Sequence, residues 1–86
     1  MLNNKNIIVL GGFGKIGYAT VQEILNNNGK VLIVDKINKR RKKELISKNS
    51  NLEILNLDIL ENNSMDKIIK FAKKKFKTID GFINAF

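Results

Sequence analysis

The stretch Gly12-Phe13-Gly14-Lys15-Ile16-Gly17 matches the pattern G-x-G-x-x-G, and Gly11, Gly14 and Gly17 equally match G-x-x-G-x-x-G. Either spacing suits a loop that brings a diphosphate against bare backbone. A tight turn needs a residue tolerant of positive φ, the anion needs N–H groups within van der Waals reach, and a helix packed on a strand needs no side chain at the last glycine. The diphosphate would lie at a helix N-terminus, where unpaired N–H groups and the positive end of the dipole stabilise negative charge. Lys15 would add a positive charge beside it. Asp35 follows 18 residues after Gly17. Its carboxylate can accept hydrogen bonds from both hydroxyls of an adenosine ribose, and its charge repels a 2′-phosphate, so NAD is expected ahead of NADP. Two alternatives stay open. Gly-rich turns also join strands to helices without binding anything, and a carboxylate such as Asp35 can cap a helix.

Lys36, Lys39, Arg40 and Arg41 follow Asp35 directly. They would bind a 2′-phosphate if the Asp35 side chain turned away; the competing reading is a solvated helix face. The chain has no cysteine and no histidine, which excludes a disulfide framework, a thiolate or imidazole metal site, a Cys nucleophile and a His base. No metal site and no catalytic residue is assigned. The net charge of +8 comes from 14 Lys and 2 Arg against 8 acidic residues. Base-reading surfaces favour Arg and aromatic side chains, whereas these lysines fall on the predicted outer faces of two helices, so a nucleic-acid partner is not expected.

The elements that must position these residues are legible from periodicity. Asn6–Leu10 is a short apolar run ending at glycine, as expected for a parallel strand buried on both faces. Ile16, Ala19, Thr20, Ile24 and Leu25 recur at helical spacing over about residues 15–27, and Gly29 is placed in the left-handed position past the helix end. Lys30–Asp35 repeats the strand pattern. Asn38 to Asn49 reads as a basic helix capped by Asn38, with Ile37, Leu45 and Ile46 as core contacts. Leu52–Leu57 reads as a third strand, and Met65, Ile68, Ile69, Ala72 and Phe76 mark one face of a third helix. Ile79–Asn84 returns to strand composition. The alternation predicts an α/β fold: a partial doubly wound (Rossmann) parallel sheet of four strands, order 3-2-1-4, with helices on both faces. With 86 residues it is expected to be a single, truncated dinucleotide-binding domain over 1–86. Its fourth strand would form an open edge that invites association. No signal peptide opens the chain and no apolar run approaches the ~18 residues of a membrane span, so no membrane partner and a cytoplasmic location are expected.

The glycine loop, Asp35, Leu57-Asp58-Ile59 and Ile79-Asp80-Gly81-Phe82-Ile83-Asn84-Ala85 together resemble the successive N-terminal motifs of short-chain dehydrogenases/reductases over essentially the whole chain. The resemblance implies that Asp58, with the Ile59 backbone, contacts the adenine and that Asn84 and Ala85 flank the cofactor. It departs from the family pattern at Leu10, Lys15, Ala85 and Phe86. For Asp58 the alternative role is in the first turn of the next helix, and for Asn84 a strand-end hydrogen bond. In the resembling enzymes hydride passes between a nicotinamide and a hydroxyl or carbonyl substrate, assisted by a Ser and a Tyr-x-x-x-Lys. The only tyrosine here is Tyr18, without a lysine at that spacing, so the chain alone is expected to be inactive. A small-molecule substrate and a homo-oligomer are implied only for a longer form. The mixture of glycine spacing and strand-four motif is similar to reductases of bacterial surface-sugar and flagellin-glycan pathways. A nucleotide-binding module without catalysis remains the alternative function, with a basic nucleic-acid-binding domain third.

Overall fold

In the computed structural model, which describes residues 1–86, seven elements alternate: β1 (Asn6–Leu10), α1 (Lys15–Asn26), β2 (Lys30–Asp35), α2 (Lys39–Lys48), β3 (Leu52–Asn56), α3 (Ser64–Lys75) and β4 (Gly81–Asn84). The strands form one parallel sheet in the order β3-β2-β1-β4. The chain steps outward from β1 to β3 and then returns to the other side of β1. The carboxyl ends of β1, β2 and β4 meet at one edge, where Leu10 is in register with both Val34 and Asn84.

Successive side chains of a strand point to opposite faces, so one continuous apolar run supplies two cores. Ile7, Val9, Val31, Ile33, Leu52 and Ile54 face Val21 and Ile24 of α1, with Ile37, Leu45 and Ile46 packed at the margin. On the other face Ile8, Leu10, Leu32 and Val34 meet Ile68, Ala72 and Phe76 at α3. Helices therefore cover both faces, α1 and α2 on one and α3 on the other. No helix is long and apolar enough to cross a membrane.

Several details differ from the sequence pattern. Helix α1 docks through Gly17, Val21 and Ile24, whereas Ile16 is 77% exposed and Ala19 is exposed. The helix approaches the sheet by the face bearing its smallest residue, which turns Ile16 outward. Past α1 it is Asn28 that takes the left-handed conformation (φ 64°), not Gly29. The Gly29 N–H donates to the Ile24 carbonyl (2.9 Å) and the Asn28 N–H to the Leu25 carbonyl (3.1 Å), a Schellman closure. Gly29 is demanded by space, because a Cβ there would come within 2.5 Å of Ile24 Cγ2. On α3, Met65 is exposed and Phe71 packs at the core margin in its place. Strand β3 ends at Asn56, whose side-chain oxygen accepts the Ile37 N–H (3.1 Å), so Leu57 lies just beyond it. Strand β4 begins at Gly81 rather than Ile79. There the Asp80 carboxylate accepts the Asn6 N–H (2.8 Å) and its own N–H donates to the Asn6 carbonyl (2.8 Å), tying the segment to β1 before the ladder starts.

Candidate functional site at the carboxyl edge of the sheet

The glycine loop runs from the end of β1 to the start of α1, and its four glycines answer to different demands. Gly11 has φ +73°, and a Cβ there would lie 2.9 Å from the Cα of Phe86. A Cβ on Gly12 would stand 2.6 Å from Ile33 Cγ2. At Gly17 it would overlap the Gly11 carbonyl oxygen, so α1 packs against the loop with no room for a methyl. The fold itself requires these three. Gly14 is exposed, has ordinary extended backbone, and a Cβ there would meet nothing closer than the Gly11 oxygen at 3.6 Å.

Gly14 is also the N-cap of α1 and has no side chain to satisfy the helix donors. The backbone N–H groups of Gly12, Lys15, Ile16 and Gly17 have no acceptor within the chain, whereas Gly11 donates to Val34, Gly14 to Gly11 and Tyr18 to Gly14. Those of Lys15, Ile16 and Gly17 are the orphan donors of a helix start, at its positive dipole end, and that of Gly12 lies in the turn ahead of them. Lys15, exposed in the first turn, makes no ion pair. The loop is therefore a cradle of free N–H groups suited to an anion.

Asp35 closes β2 beside this loop. Its Oδ2 accepts the Phe13 N–H (3.0 Å) and its Oδ1 accepts the Lys36 N–H (2.8 Å). It does not cap α2; Asn38 does, accepting the Arg41 N–H at 2.8 Å. No cation pairs with Asp35. Lys36 reaches Asp58 (3.4 Å), Arg40 reaches Glu44 (3.4 Å), and the Arg41 guanidinium lies 5.1 Å from the Phe13 ring centroid.

Asp58 follows β3 and accepts the Leu60 N–H at 2.9 Å. That bond, helped by the hydrogen bond and charge of Lys36, outweighs the opposing desolvation and holds its carboxyl below the usual range. Helix α3 starts later, capped at Asn63, so Asp58 organises a separate turn and not that helix. The Ile59 side chain packs against the second core, and its carbonyl accepts the Ser64 hydroxyl (2.8 Å). Asn84 accepts the Phe86 N–H (3.1 Å), the strand-end bond, and the Ala85 N–H donates to the Leu10 carbonyl (2.9 Å).

The loop, Asp35, Asn84 and Ala85 thus meet at the carboxyl end of β1, and Asp58 is tied to the group through Lys36. Sequence reasoning missed the contacts of Phe13, whose ring meets both the Arg41 guanidinium and the Tyr18 ring, the latter 6.1 Å away and inclined 28°. Arg41 read as one more charge in a basic run, and no local spacing pairs it with a residue 28 positions earlier.

The model of the short chain dehydrogenase family matches residues 5–85. A post-translational flagellin modification protein A from Campylobacter coli is 35% identical over 99% of this chain, which spans 35% of that protein's length. Among solved structures, an NADH-dependent reductase complexed with NAD superposes with a TM-score of 0.84 at 22% identity, over 96% of this chain and 36% of the other. An NADPH-dependent 3-quinuclidinone reductase from Rhodotorula rubra superposes with a TM-score of 0.77 at 22% identity, over 94% of this chain and 32% of the other. The match across nearly all residues, carried on a 3-2-1-4 parallel sheet with its glycine loop at the switch point, places the chain in the short-chain dehydrogenase family of NAD(P)-dependent oxidoreductases.

Proposed function

We propose that this chain is the cofactor-binding segment of an NAD-dependent oxidoreductase and that the groups acting on substrate belong to a longer form. The observation that carries this is the contrast within the loop. Gly11, Gly12 and Gly17 are needed by the fold, whereas Gly14 serves no internal packing and stands beside four unpaired N–H groups. A missing side chain with no internal purpose, at a positive helix end, fits a diphosphate seated against the backbone. Residues Gly11 to Gly17 would hold the diphosphate, with Lys15 compensating its charge.

Asp35 would accept the ribose hydroxyls. Its oxygens keep lone pairs beyond the two backbone bonds, and Lys36, Arg40 and Arg41 are turned to other partners, so its charge stands against a 2′-phosphate and favours NAD over NADP. Asp58 with Ile59 would border the adenine, and Asn84 with Ala85 the other end of the cofactor. When bound, the nicotinamide exchanges hydride with a hydroxyl or carbonyl substrate; the protein's part is to seat and orient it. The flagellin-modifying relative supports a role in modifying a surface sugar or flagellin. The matched proteins extend well past this chain's length, which supports a longer enzyme; that this form is a homo-oligomer located in the cytoplasm is part of the same proposal.

The test is a titration of NAD and NADP into the protein and into Asp35→Asn. The wild type is expected to bind NAD more tightly than NADP. The substitution should weaken NAD by about tenfold, the size of a hydrogen bond to a charged group, and narrow or reverse the preference. Absence of NAD binding by the wild type would refute the reading.

A further inference from the structure

We infer that the contact between Arg41 and Phe13 is a positioning pair that couples occupancy of the glycine loop to the docking of α2. The inference rests on the proposed dinucleotide binding. Helix α2 has no fully buried residue, and the apolar side chains it packs on the core are the half-buried Leu45 and Ile46, with the flanking Ile37. A helix held this shallowly opens at low cost. Arg41, in its first turn, is fixed by its N–H bond to Asn38 and has no carboxylate partner. Its guanidinium lies over the Phe13 ring, which also stacks with Tyr18. The same Phe13 donates its N–H to Asp35. A chain of contacts therefore runs from α2 through the guanidinium and the ring to the carboxylate proposed to meet the ribose, bypassing the sheet.

A ligand gripped by the loop N–H groups restrains Phe13, and a restrained ring is a better partner for Arg41. By linkage, a docked α2 improves the loop for the ligand by the same factor. Arg41 and Phe13 touch no reacting atom; they act through the loop. An exposed cation–π contact is worth about two- to fivefold in affinity.

Hydrogen exchange of the protein with and without NAD tests this. In the wild type, NAD should slow exchange both at residues 11–17 and along Lys39–Lys48. In Arg41→Met and in Phe13→Leu, loop protection should persist, the α2 response should vanish, and NAD affinity should fall about two- to fivefold. The double substitution should cost no more than either single one, and Arg41→Lys should keep most of the response. Protection of the loop with an unresponsive α2 in the wild type overturns the coupling and leaves the proposed function standing. An α2 response that survives in Arg41→Met also overturns it. Protection at neither place refutes the dinucleotide reading, and the coupling with it.

Discussion

At the scale of single residues, Gly14 and Gly17 separate what the proposed ligand would require from what the fold requires. Gly17→Ala drives a methyl into the Gly11 carbonyl, so it should cost about 1–3 kcal/mol of stability, read by thermal or urea melting. Gly14→Ala adds only an ordinary van der Waals contact with the Gly11 oxygen and should leave stability within about 0.5 kcal/mol while weakening NAD binding. Equal loss of stability in the two variants would contradict this division. Asp58 offers a pH signature. Its folded pKa is lowered, chiefly by the Leu60 N–H, so its contribution to stability is present above the ordinary carboxylate pKa and disappears as pH falls through the lowered value. The stability of Asp58→Asn should therefore depend less on pH in the acid range than that of the wild type, and parallel profiles would count against the assignment. The placement of the glycines and Asp35 was legible because it follows from spacing local to the chain. The Arg41–Phe13–Tyr18 stack was not, because it is a contact between segments distant in sequence.

At the scale of elements, each helix is only as firmly docked as its buried stripe. Helix α3 inserts Ile68 and Ala72 fully into the second core. Ile68→Ala should cost about 2–5 kcal/mol, measured as a shift in the urea midpoint at constant m-value. A loss below about 1 kcal/mol would mean that α3 is not docked as described. Helix α1 shows where periodicity alone misleads. Ile16, Ala19, Thr20, Ile24 and Leu25 fit one helical stripe as well as Gly17, Val21 and Ile24 fit another, and hydrophobicity favours the first. Contact with the sheet chooses the second, since a glycine lets the helix come closer than an isoleucine would. Asn28 and Gly29 exchange their expected roles for a related reason. Asparagine tolerates the left-handed turn, and crowding by Ile24 leaves glycine as the residue that fits at position 29.

At the scale of the whole molecule, the sheet ends at β4, whose outer edge pairs with no strand; Phe82 in this strand is 44% exposed and Phe86 just after it is more exposed. An apolar open edge favours association. The chain should self-associate with rising concentration in sedimentation experiments, and Phe82→Lys should shift it toward monomer; a wild type that stays monomeric throughout would contradict this. The element order, the parallel sheet and its 3-2-1-4 arrangement were determined by the sequence on its own. Alternating apolar runs and amphipathic stripes leave few topologies once crossovers must be right-handed and each face must be covered. The glycine loop and Asp35 were equally legible, since a strand followed by a helix start dictates where they stand. Tertiary structure alone decided which face of α1 is buried, that Lys36, Arg40 and Arg41 turn to Asp58, Glu44 and Phe13, and that Asp58 forms its own turn ahead of α3. Those outcomes depend on distances between segments far apart in the chain, and residue type and spacing constrain such distances only through the packed fold.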